Sequence, residues 1–137
     1  LRPGEALRPL LVLHSFRFIG LAFIVPGVVS ADLPAAFARP AAFGDLAAAA
    51  LALLALVALR SRVASALVWT FNLWGTADLL YAFYEGNQSG LQAGQLGAAY
   101  FMVTVIVPLL LVTHGLVFRL LLQGADAPFA REVGRAA

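Results

Sequence analysis

The chain has 137 residues, of which 62% are hydrophobic and only 12% charged, with a mean hydropathy of +0.91. Soluble domains carry about 25% charged residues, so half that share points to a membrane protein, and the length allows one domain. With no Cys, disulfides, thiolate metal sites and iron–sulfur ligation are excluded; with no Lys, so is Schiff-base chemistry. All nine basic residues are Arg, and the net charge of +2 rests on residues near segment ends, without the basic, aromatic-interleaved surface that nucleic-acid binding requires.

Four apolar segments follow in order. The first runs from about Pro9 to Val29, after a basic lead-in with Arg2 and Arg8. Pro9 suits the first turn of a helix, and Pro26 is expected to kink or end it. The segment lacks a small-residue cleavage site and continues through Arg17, so it reads as a retained span and not a signal peptide. Ser30 to Pro40 reads as a loop punctuated by two prolines. The second span, about Ala42 to Leu59, begins near Asp45 and is otherwise Ala and Leu, which predicts a packing helix without further chemistry.

Arg60, Ser61 and Arg62 form a short turn that makes the second and third spans an antiparallel hairpin. The third span, Val63 to Tyr84, is the polar one: it carries Ser65, Trp69, Thr70, Asn72, Trp74, Gly75, Thr76 and Asp78. A polar loop from Glu85 to Gly94 leads to the fourth span, about Gln95 to Leu122, in which Pro108 frees the carbonyl of Thr104. Residues 123–137 form a short tail.

The expected fold is therefore an all-α integral membrane protein, four transmembrane helices in an up-down bundle. Arg2, Arg8, Arg60, Arg62, Arg119, Arg131 and Arg135 fall on one side, while Arg39 stands against Asp32 and Glu85 on the other. Arg-rich ends face the cytoplasm, so both termini are expected there. The chain resembles, by composition alone, the small Ala/Leu/Arg-rich multi-pass proteins of the bacterial inner membrane.

Depth arithmetic sorts the polar residues. At ~1.5 Å per residue, His14 and His114 each lie ~7–8 Å inside the cytoplasmic edge, Arg17 and Asn72 ~12–14 Å, and Asp78 ~22 Å. This predicts one inner-half cluster of His14, Arg17, Asn72 and His114, with Asp78 apart in the outer half. An Asn or Thr in a membrane helix commonly just bonds a neighbouring helix, worth ~0.6–2 kcal/mol. Trp69 and Trp74 read first as packing residues, and Arg17 as a residue able to snorkel to the cytoplasmic edge. An ionised Asp78 needs a partner.

Several functions fit such a set. Two histidines at one depth on different helices are what a b-type haem takes as axial ligands, with Arg17 and Arg119 near the propionates and Trp69 in the shell; this gives a haem-binding or redox-associated subunit, with His14 and His114 on the metal. A bare di-imidazole metal site is less favoured, because no carboxylate shares that depth. Alternatively, the chain is a membrane enzyme or binding protein for a quinone, isoprenoid or sterol, with Asp78 or His14 as acid or base and Asn72 or Trp69 orienting the substrate. A transporter subunit or an accessory subunit of a larger membrane complex completes the set, either as a homo-oligomer or with other chains. No motif selects a reaction.

Overall fold

A computed structural model describes the backbone of residues 3–126 and the side chains of residues 5–123; the tail beyond them, with Arg131 and Arg135, and also Arg2, lie outside the described residues. The described chain is all helical, without named strands. α1 spans Pro3–Ser15 and continues into a 3-10 helix, Phe16–Ile24. α2 spans Ala35–Val57 and α3 spans Ala64–Gln88. A short 3-10 helix (Ala93–Ala99) and a π-helical turn (Met102–Ile106) lead into α4, Val107–Asp126. Three stretches, Glu5–Ile24, Ala35–Val57 and Met102–Gln123, are long and apolar enough to cross a membrane.

The element boundaries differ from expectation for local physical reasons. α1 starts at Pro3, which takes the first-turn position expected of Pro9. The helix tightens just after Ser15, whose hydroxyl donates to the Val12 carbonyl at 2.7 Å and competes with the regular backbone ladder. It ends before Pro26, with Val25 extended as a residue preceding proline must be. α2 begins at Ala35, inside the expected loop. Pro40 forfeits one backbone bond, while burial of Phe37, Ala38, Ala41 and Ala42 carries the helix through.

α3 runs a turn past Tyr84 and is stopped by Gly90 at φ 64°. The Leu91 N–H bonds the Gly86 carbonyl at 3.0 Å and the Gly90 N–H bonds the Asn87 carbonyl at 3.3 Å, a Schellman closure that needs a left-handed residue. The fourth segment is not one helix. Gly97 (φ 51°) turns the chain where a side chain would strike the Val28 carbonyl, and the Ala98 N–H bonds that carbonyl at 2.9 Å. The π turn then absorbs the break before Pro108, with Val107 N–H bonding the Met102 carbonyl.

α2 packs against α1, the following 3-10 helix and α3; α4 packs against α1 and α3. Two apolar cores result. One gathers Phe23, Phe37, Ala41, Leu96 and Met102. The other gathers Leu7, Leu11, Ala55, Phe71, Val117 and Leu121. Along each long segment the buried polar residues fall between the two cores: His14 and Arg17 between Leu11 and Phe23, Asp45 between Ala42 and Ala52, Asn72 between Phe71 and Ala82, Thr113 and His114 between Met102 and Val117. The cores are two apolar layers with a polar layer between them.

Candidate functional site

The polar layer is built around Arg17, which is 2% exposed. Its Nε donates to Asp45 Oδ1 at 2.7 Å, and its Nη2 lies 2.6 Å from the same oxygen. Nη2 also donates to Asp78 Oδ2 at 2.7 Å. Nη1 donates to the Gly75 carbonyl at 3.3 Å and to His114 Nε2 at 3.1 Å. One guanidinium thus joins the 3-10 helix to α2, α3 and α4. A planar fork of donors suits this role where an ammonium would not.

The glycines make room for it. A Cβ on Gly75 would stand 2.5 Å from His114 Cε1 and 2.7 Å from Arg17 Nη1. A Cβ on Gly20 would collide with Asp45, and one on Gly44 with Asp78. The Trp74 indole N–H closes the α2–α3 contact on the Gly44 carbonyl at 3.4 Å.

The histidines form the other half of the layer. Because a guanidinium only donates, His114 Nε2 is an acceptor and the ring's proton is on Nδ1. That Nδ1–H donates to Asn72 Oδ1 at 2.6 Å, and Asn72 Nδ2 donates to the His114 carbonyl at 3.3 Å. The Thr113 hydroxyl is within 2.9 Å of the Leu110 carbonyl, which takes its proton, so His14 Nε2 donates to Thr113 Oγ1 at 2.9 Å. His14 Nδ1 is buried without a hydrogen-bond partner. The two imidazoles touch, centroids 4.2 Å apart at 48°, and Phe71 packs on both at 5.1 and 5.2 Å.

The expected inner cluster of His14, Arg17, Asn72 and His114 is therefore one network, and Asp78 belongs to it. The separation of Asp78 inferred from depth does not hold, since the Arg17 side chain reaches across the difference. Nor does Arg17 snorkel: its head group is spent on two carboxylates. Trp69 packs on Phe118 at 5.9 Å, and Arg119 is exposed; neither joins the network.

Two members were missed in the sequence. Asp45, expected near the start of the second span, lies mid-helix and buried, so α2, expected to be a packing helix without further chemistry, supplies a carboxylate to the site. The available signal was a lone acid within an Ala/Leu run. Thr113, next to His114, gave no pattern of its own.

The arrangement bears on haem. Axial ligation needs a macrocycle between two imidazole nitrogens, but here the rings are in contact and both Nε2 atoms and His114 Nδ1 are in hydrogen bonds. Among the described residues, no group of three or more His, Asp or Glu is disposed to hold a metal ion. The geometry favours a hydrogen-bonded histidine pair over bis-imidazole ligation.

A cavity of about 310 Å³ adjoins the network. Asp45 and Asp78 stand in a wall that is otherwise largely apolar, with Phe23, Phe37, Phe83 and Leu91. Phe83 and Asn87, also in the wall, are exposed, so the cavity reaches the molecular surface. A second cavity of about 200 Å³ meets Arg17 and Asp45 from the α4 side.

Fold and site together define an all-helical protein with a buried ionic layer between apolar cores. Residues 1–122 match the family described as a domain of unknown function, DUF8737, and the chain belongs to that family. No curated protein and no solved structure matches the chain.

Proposed function

We propose that the protein is a four-span bundle of the bacterial inner membrane, with both termini cytoplasmic, that binds a lipophilic molecule with a polar end. α3 is the fourth crossing. At ~1.5 Å per residue its length exceeds the ~30 Å hydrocarbon core. Its Asn72 and Gly75 are buried, while Leu73, Leu80, Tyr81 and Phe83 are exposed. Large apolar side chains exposed on every long helix, such as Phe16, Leu54, Leu80 and Val112, suit a lipid surround. In that topology the exposed Arg8, Arg60, Arg62 and Arg119 would fall near segment ends on one side, as the stated orientation requires.

The observation that carries the binding reading is the 310 Å³ cavity with two carboxylates in an apolar, aromatic wall. Ligand sites are concave and mostly apolar, with a few polar groups that orient the guest. Asp78 and Asp45 would take the polar end, with Arg17 fixing both carboxylates. The aromatic rings would take the apolar body. Asn72, hydrogen-bonded to His114, supports the layer from behind.

The test is ligand recovery. Protein purified in mild detergent should yield, on organic extraction and mass spectrometry, one lipophilic species in near-stoichiometric amount. Ala82→Phe, which fills the cavity from α3, should lose that species while the protein remains folded. Extracts from the two proteins that do not differ would sink the reading.

A further inference from the structure

We infer that the polar end of the cavity's ligand is a cation, so that the ligand class is a lipophilic amine or quaternary ammonium; this rests on the lipophilic-ligand reading above. The ground is a charge imbalance. The only ion-pair partner of Asp45 and of Asp78 among the described residues is Arg17. One guanidinium balances one carboxylate and leaves one unit of negative charge over. The histidines do not supply the missing cation. His114 accepts from Arg17 at Nε2 and is neutral; a second proton on His14 would put an N–H on the unpartnered Nδ1, buried beside Arg17.

Geometry places the excess charge at the cavity. Asp45, more than nine-tenths buried, and Asp78 both stand in its wall. Each binds Arg17 through one oxygen; the other oxygens, Asp45 Oδ2 packed toward Gly20 and Asp78 Oδ1 packed toward Gly44, have no hydrogen-bond partner among the described residues. An unbalanced carboxylate in apolar surroundings is costly unless a counter-charge or a proton joins it, and the cavity gives a counter-charge room to do so. The rest of the wall suits that counter-charge. Phe23 and Phe37 meet edge to face at 5.4 Å, Phe83 lies in the same wall, and aromatic faces attract cations most strongly where water is excluded. A neutral polar head would leave the charge unanswered, and an anionic head would double it.

The experiment compares benzyltrimethylammonium with neopentylbenzene, its neutral carbon isostere, on the whole protein in phosphatidylcholine nanodiscs. Binding is read by equilibrium dialysis. The cation should bind at least about tenfold more tightly than the isostere. In Asp78→Asn the two affinities should converge. If that variant does not fold, the wild-type comparison stands alone, with Ala82→Phe expected to weaken both ligands. Equal or tighter binding of neopentylbenzene to the wild type overturns the cationic assignment and leaves a lipophilic pocket standing. Failure of both probes to bind overturns the pocket as well. Cation binding that survives Ala82→Phe overturns its assignment to this cavity.

Discussion

Arg17 Nη1 stands 3.1 Å from His114 Nε2, and this contact sets the protonation of the ring. The donor can only be the guanidinium, so the imidazole is the Nδ1–H tautomer, tied to Asn72 Oδ1 at 2.6 Å. Nitrogen-15 NMR of histidine-labelled protein should find His114 Nδ1 protonated and Nε2 bare at neutral pH. In Asn72→Ala the buried Nδ1–H loses its acceptor, at a cost of about 1–3 kcal/mol. A protonated Nε2 in the wild type would contradict the arrangement.

Arg17 is where the layer is most vulnerable. Arg17→Met leaves Asp45 and Asp78 facing each other without a cation, and removing one partner of a buried ionic cluster costs about 3–5 kcal/mol. Thermal midpoints in one mild detergent should fall sharply for Arg17→Met. Adding Asp45→Asn and Asp78→Asn to it should recover much of the loss. A triple variant no better than the single would mean that shape, and not charge balance, holds the layer.

Gly75 and Gly115 give a paired test of close approach. A methyl at Gly75 meets His114 and Arg17, whereas one at Gly115 meets nothing within 4 Å. Gly75→Ala should destabilise by about 1–3 kcal/mol through overpacking. Gly115→Ala should be neutral or slightly stabilising, because alanine is the better helix former. The same midpoint measurement decides both, and similar midpoints for the two variants would count against the crowding at Gly75.

Topology is accessible because the chain has no cysteine of its own. Single cysteines at exposed Ser61, Ala31 and Gln88 can be probed with an impermeant maleimide in intact cells and in inverted vesicles. Ser61→Cys should react only from the cytoplasmic face, and Ala31→Cys and Gln88→Cys only from the opposite face. Labelling of Gln88→Cys on the same side as Ser61→Cys would rule out α3 as a crossing helix.

What the sequence determined by itself was set by solvent preference. Low charge and long apolar runs mark a helical chain suited to lipid, and they single out His14, Arg17, Asn72, Asp78 and His114 as groups lipid cannot solvate. Three of the anticipated apolar segments appear as long apolar helices, although Ser15 and Pro108 alter the backbone within two of them. Partnership was decided only by the tertiary structure. Depth counting assumes uniform rise and short side chains, and both assumptions fail at Arg17, which sits on a tightened 3-10 stretch and reaches two carboxylates and a histidine. Asp45 entered the site because the packing of α2 turns that face of an Ala-rich helix inward against Gly20, an angle that no periodicity in so uniform a sequence records.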